Sequence, residues 1–319
     1  MRPPRFPANI GFVTHPTQTE AQPELPLAAH TAYHRLGRTS PRYRWWKPLL
    51  VGIVGSVLYL LALLVLFTAA VVTSLMVPDV ARVFEDLGDA SLNFDMSDPV
   101  TFTLVILSII PMLPALLLAT RIIGAQRIGL LSSVRGRLRW GLLLQNTLFA
   151  LVVYAIGYLT MFSTSALTGG TVTLEVVQPQ LPLMLLLIVL LIPVQAAAEE
   201  YVFRGYLAQT IGGWLRHPAF AILLPIPIFV LGHDYGLLGS IDVAFFAAVA
   251  GWLTWRTGGL EAAIALHIVN NATIFGLGTI GLVDPNATDA ALPDLIYSAL
   301  MTAAFVLLVE RSRRRELAE

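Results

Sequence analysis

Three stretches of this sequence set ionisable and amide side chains into apolar surroundings. AAAEEYVFRGYL carries Glu199, Glu200 and Arg204; FVLGHDYG carries Phe229, His233 and Asp234; LEAAIALHIVNNATIF carries Glu261, His267, Asn270 and Asn271. A carboxylate in an apolar setting is a candidate general base for activating water. A histidine beside it can hold that water or share its proton. A second histidine and an asparagine amide can hydrogen-bond an oxyanion. Neutral histidine and carboxylate are also zinc ligands, so a metal-bound water is a rival mechanism. The chain has no H-E-x-x-H, which excludes the standard zincin pattern. It also has no cysteine, which excludes disulfides, Cys-ligated zinc and thiol catalysis.

Helical spacing says which of these groups can act together. Glu200 and Arg204 stand at i and i+4, so they can pair along one face. Glu199 points about 100° away from Glu200 and is left to meet something else. His267 and Asn271 are also at i and i+4 and make one polar face, which is costly toward lipid and belongs inside a bundle. Asp234, Glu261 and Asn270 read as structural or supporting residues. His15, His30, His34 and His217 carry no assigned role. Spacing by itself leaves three readings open: catalysis, transport or proton relay through Glu and His, and structural hydrogen bonding between helices.

The elements that must position these residues are membrane spans. Only 13% of the 319 residues are charged, against 56% hydrophobic, and long stretches hold no charge at all. A spanning helix needs about 20 mostly apolar residues. The fold class that follows is all-α, a polytopic membrane helix bundle of about eight transmembrane helices: 48–76, 98–120, 140–163, 180–204, 218–234, 239–256, 259–279 and 293–311. Formal net charge is zero, so nucleic acid is not an expected partner.

Charge placement tests that count. One set of alternate connections holds Arg35, Arg38, Arg42, Arg44 and Lys47; Arg121, Arg127, Arg135, Arg137 and Arg139; Arg216; Arg256; and Arg311, Arg313, Arg314 and Arg315. The other set holds Arg82 alone, with Asp79, Glu85, Asp86, Asp89, Asp95, Asp284 and Asp289. The positive-inside rule then places both termini in the cytoplasm. Residues 1–44, polar and rich in Pro and Arg, read as a disordered cytoplasmic tail, and 312–319 as a cytoplasmic tail. The first apolar run starts too late and is too long for a cleaved signal peptide. Residues 124–139 mix Arg with Leu and Ile and read as an interfacial segment or a plain connecting loop. If the segments flanking His217 are helical, Glu199 and His233 lie about 27 and 24 Å from that turn, nearly level. His267 lies about 16 Å from Arg256, which is shallower, so the three motifs converge within the membrane, on its cytoplasmic side, if part of 205–216 lies along the interface.

EEYVFR (199–204), FVLGH (229–233) and HIVNN (267–271) match E-E-x-x-x-R, F-x-x-x-H and H-x-x-x-N, in order and on successive apolar spans. In this the sequence resembles the CPBP intramembrane protease family, which includes the CAAX prenyl endopeptidases and the bacteriocin-processing or Abi-type proteins. RTGGLEAAIALHIVNN (256–271) is similar to the third-motif region beyond the His and Asn. The resemblance covers about 180–280, the catalytic core of a 45–311 bundle. It implies an intramembrane endopeptidase of the plasma membrane, with a membrane-embedded or lipidated protein or peptide as substrate and the lipid bilayer as surroundings. It implies that Glu199 activates water, Glu200 pairs with Arg204, His233 positions the water, and His267 with Asn271 stabilises the oxyanion. No cofactor is required on this reading. The zinc-dependent version would use Glu199, His233 and His267; it is disfavoured because one carboxylate and two histidines are all the site offers. A non-catalytic immunity, scaffold or transport protein of the same family is the other class of function. The topology has a direct test. A reporter active only in the cytoplasm is expected to work when inserted at 124–139 or fused after 319, and to fail when inserted at 283–290.

Overall fold

The computed structural model describes residues 31–88, 94–170 and 180–316. Among the described residues the fold is all-α, with one isolated bridge, Ser133 to Gly259, and no strand. In chain order the helices are α1 (Lys47–Ser74), α2 (Pro78–Gly88), α3 (Pro99–Ile109), α4 (Met112–Ile123), α5 (Gly129–Ser132), α6 (Trp140–Leu167) and α7 (Leu181–Glu200). After α7 come a π-helical segment (Tyr201–Leu207), α8 (Ala208–Trp214), α9 (Pro218–Leu223), α10 (Ile226–Leu231), α11 (Leu237–Thr257), α12 (Glu261–Gly278) and α13 (Leu292–Glu316).

Among the described residues, six helices are long and apolar enough to cross a bilayer: Lys47–Ser74, Pro99–Ile123, Trp140–Leu167, Leu181–Trp214, Leu237–Thr257 and Leu292–Arg315. Their outer faces carry bare Leu, Val and Phe, such as Leu60, Val65 and Leu307, which water would not tolerate and lipid covers. This is an integral membrane protein. The expected count of eight is not reproduced as eight long helices, and the two differences have distinct causes. Residues 218–231 form a shorter apolar stretch, broken into α9 and α10 where Pro225 and Pro227 withhold backbone donors. α12, 18 residues long, is buried along its first two turns and packs on α6, α7 and α11. A helix enclosed by its neighbours can carry His267, Asn270 and Asn271 where a lipid-facing one cannot.

Hydrogen bonds gather the basic ends of the helices together. Arg139 reaches Glu261, Arg256 reaches Glu310, and Gln145 reaches Ser312. The opposite ends meet through Asp242 with Ser298, Asn286 with Asp95, and the Gly236 amide with the Thr288 carbonyl. The Arg139–Glu261 pair anchors α12. The Nε–Nη2 edge of the guanidinium and the Arg139 amide bond the Glu261 carboxylate, which is fully buried in the helix's first turn, where the dipole favours an anion. Gly258 makes the turn into α12 in the left-handed region (φ 70°). At Gly259 a side chain would collide with Arg139 and Glu261.

Two connecting segments depart from expectation. Residues 1–30 lie outside the described residues, but 31–44 are ordered rather than disordered. Tyr33–Thr39 form a 3₁₀ helix whose Tyr33 and Leu36, three apart and so on one face, are fully buried. Two apolar residues are too few to register as a period. The segment docks because α8 ends in carbonyls that lack helical donors. Arg35 donates to the Gly212 carbonyl at 3.1 Å and Arg38 to the Gly213 carbonyl at 2.8 Å. His34 is buried with its Nε2 3.1 Å from the Arg216 carbonyl. Burial, helped by the Arg35 and His217 charges, pushes its imidazole below its ordinary value. The 124–139 segment likewise folds inward. Leu130 and Leu131 are buried, Gln209 donates to the Leu130 carbonyl, and the Leu260 amide donates to the Ser132 carbonyl.

The close approach of 33–39 to α8 depends on Gly212, where a side chain would run into the His34 carbonyl. Gly212→Val is expected to destabilise the protein by about 1–3 kcal/mol through overpacking. It should also expose residues 31–44 to limited proteolysis in detergent. Unchanged protection of that segment would show that the docking does not depend on the contact.

Candidate active site

α7 supplies the first motif. Pro193 interrupts its ladder, and just past Glu200 the chain widens into the π-helical Tyr201–Leu207 segment that holds Arg204. Such π segments occur frequently at functional sites. The expectation of a plain α-helix through 204 is therefore corrected, although the Glu200–Arg204 pair survives. Arg204 Nη1 donates to Glu200 Oε1 at 2.9 Å, with both side chains almost wholly buried.

α12 brings His267 to the same oxygen. His267 Nδ1 lies 2.7 Å from Glu200 Oε1, and His267 Nε2 lies 3.3 Å from Glu199 Oε2. One imidazole thus stands between the two adjacent glutamates, whose divergent directions on α7 open a gap for it. A ring nitrogen facing a carboxylate oxygen needs a proton between them. Glu199 Oε2, Glu200 Oε2 and Arg204 Nη2 are buried without a hydrogen-bond partner of their own. The 3.3 Å approach of His267 to Glu199 is thus a contact rather than a well-aligned bond.

Aromatic rings enclose the cluster. The Arg204 guanidinium lies 4.3 Å over the ring of Phe229 and 5.8 Å from that of Phe246, a cation–π arrangement suited to a charge removed from water. Phe229, the first residue of the second motif, also lies 4.8 Å from the ring of His233 and 6.4 Å from that of His267. His233 lies two residues past the end of α10 and is half-buried, with Nδ1 2.8 Å from the Phe229 carbonyl. Nδ1 is the donor there, so in the neutral ring Nε2 is an acceptor. His233 shares the aromatic wall with the cluster but no hydrogen bond.

Asn271 is joined to the site through amides. Its Nδ2 donates to Gln195 Oε1 at 3.1 Å, its Oδ1 accepts from Asn270 Nδ2 at 3.2 Å, and Asn270 Oδ1 accepts from the Tyr154 hydroxyl at 3.1 Å. A cavity of about 250 Å³ between α6, α11, α13 and the 283–290 loop borders Asn270, together with Tyr158, Tyr235 and Asp242. Sequence reasoning passed over Gln195 and Tyr154. Gln195 carried a usable signal, since it is polar in an apolar run and one turn from Glu199. Tyr154, on α6, carried none.

Among the described residues, no group of three His, Asp or Glu side chains is gathered closely enough to hold a metal ion. In particular, His267 already turns both ring nitrogens to carboxylates, and Glu199, His233 and His267 do not converge as three ligands. The zinc ligand set does not fit the arrangement.

The family model described as type II CAAX prenyl endopeptidase Rce1-like matches residues 179–273. That segment contains all six expected site residues, and the resemblance read from the three motifs is borne out over it. An uncharacterized protein of Bacillus subtilis (strain 168), YyaK, is 30% identical over 89 residues. That match covers 26% of this chain and 30% of YyaK, so the chain spans under a third of the relative it matches. No solved structure matches the chain.

The ion pair makes a prediction independent of any activity. Removing Arg204 alone leaves Glu200 buried with one cationic partner fewer, so Arg204→Met is expected to cost about 3–5 kcal/mol of stability. Combining it with Glu200→Gln should recover much of that loss, as read from melting midpoints in detergent. Additive losses in the double variant would mean that the two side chains do not depend on each other.

Proposed function

We propose that this protein is an intramembrane endopeptidase that hydrolyses a peptide bond of a membrane-embedded or lipidated protein or peptide. The observation that carries the reading is the position of His267 between Glu199 and Glu200. Arg204 and His267 both engage Glu200, while Glu199 keeps a buried oxygen with no hydrogen-bond partner. With Arg204 committed to Glu200 and only the loose 3.3 Å approach of His267 Nε2 beside it, the Glu199 carboxylate is the one left to act as a base. The match over 179–273 supports the same chemistry and brings a prenylated C-terminus as one substrate class.

In the reaction, Glu199 takes a proton from water as the water oxygen bonds to the scissile carbonyl carbon. The carbonyl π pair moves to oxygen, and the Asn271 amide donates to that oxyanion. Glu199, now a carboxylic acid, no longer attracts His267 Nε2, and the ring, still held at Nδ1 by Glu200, offers its Nε2–H to the oxyanion. Collapse breaks the C–N bond as Glu199 returns its proton to the leaving nitrogen. His233 offers Nε2 as an acceptor for the attacking water. Glu200 and Arg204 keep His267 in register. The enzyme works in the plasma membrane with both termini in the cytoplasm.

The test compares membranes from cells expressing the wild type and Glu199→Gln, by identifying newly formed protein termini. Loss of the base is expected to lower their formation by about 10²–10⁴-fold while the variant inserts and melts as the wild type does. The same comparison names the substrate and shows whether it is lipidated. Equal termini in both membranes would sink the hydrolytic reading in favour of a scaffold or transport role.

A further inference from the structure

Gln195 is buried in α7 one helical turn before Glu199. A glutamine in the interior of a membrane helix is costly unless its amide is hydrogen-bonded. Here Oε1 accepts from Asn271 Nδ2 across 76 residues of chain. That bond is the last of a run with a single direction. The Tyr154 hydroxyl donates to Asn270, Asn270 donates to Asn271, and Asn271 donates to Gln195. Each amide accepts on its oxygen and donates from its nitrogen, and the run starts at a hydroxyl and ends at an oxygen.

The consequence concerns the orientation of Asn271. A carboxamide is nearly symmetric in shape, so packing alone does not choose which end faces a substrate. With its oxygen held by Asn270 and one N–H held by Gln195, Asn271 has a single N–H left, pointing from a fixed ring of partners. Gln195 and Glu199 also share one rigid helix, so the bond that orients the amide sets its distance from the base.

We infer that Gln195 is a positioning residue for the hydrolysis proposed above: its side-chain oxygen holds the Asn271 amide nitrogen toward α7, so that the remaining N–H is aimed at the oxyanion. A donor aligned before the reaction stabilises developing charge without reorganising, and small misplacements of such groups are expensive in rate. The inference rests on the hydrolytic reading, and its test separates the two.

The measurement is the rate at which Glu199-dependent new termini form in membranes of cells expressing the full chain. The variants are Gln195→Leu, Asn271→Ala and the two combined. Asn271→Ala is expected to slow formation by about 10²–10³-fold, and Gln195→Leu by about 10–100-fold. In the Asn271→Ala background, Gln195→Leu should add less than about a twofold loss, because its effect passes through Asn271. A structural role would slow both backgrounds by the same factor, and that result overturns the assignment. Gln195→Met, which keeps the length but not the acceptor, serves if the Leu variant fails to fold, and a Met variant of wild-type rate overturns it equally. If wild-type and Glu199→Gln membranes carry the same termini, the hydrolytic reading fails and the positioning role fails with it. If those differ but the losses multiply, the positioning role alone fails.

Discussion

The fully buried carboxylate of Glu200 is the constraint around which the rest of the structure is arranged. An ionised carboxylate out of water is costly unless it is paired and hydrogen-bonded. Arg204 comes to it from its own helix and His267 from α12, both on the same oxygen. Arg204, itself removed from water, is then stacked on Phe229, and the ring of Phe229 meets both histidines. Satisfying one charge thus recruits the three motifs in turn. Glu199, left over from that arrangement, becomes the reactive candidate.

Such a site demands a helix whose polar turns are enclosed, and this explains the unusual place of α12. Its burial comes from α6, α7 and α11, and its position from the Arg139–Glu261 clamp at one end. The clamp needs two glycines beside it, one for the turn and one for the space. The segments 31–44 and 124–139 close the same end of the bundle from inside, capping α8 and Leu260 instead of lying along the surface. The first-motif helix is therefore gripped beyond its reactive part. That rigidity matters where a reacting carbon must be met by a base and a donor at once.

The likeness to type II CAAX prenyl endopeptidase Rce1-like proteins falls where the polar groups are, over 179–273. Outside it, α6 and α13 supply buried core residues such as Tyr154 and Phe305, whereas α1 contributes only Pro48 and Val51 to the interior.

Much was decided by the sequence alone. Charge-free runs of bilayer length dictated an all-α membrane bundle, since every backbone group in lipid must be satisfied within a helix or a closed barrel. The i and i+4 spacing settled that Glu200, not Glu199, meets Arg204. Local rules of that kind stop at one turn of helix. That His267 stands between the two glutamates, that Gln195 meets Asn271, and that Tyr154 orients Asn270 were decided only by how separate helices pack, across 67, 76 and 116 residues. The same holds for α12, whose burial is a property of its neighbours and not of its composition. It holds too for residues 31–44, whose order comes from carbonyls that α8 leaves open and whose own pattern is too short to show it.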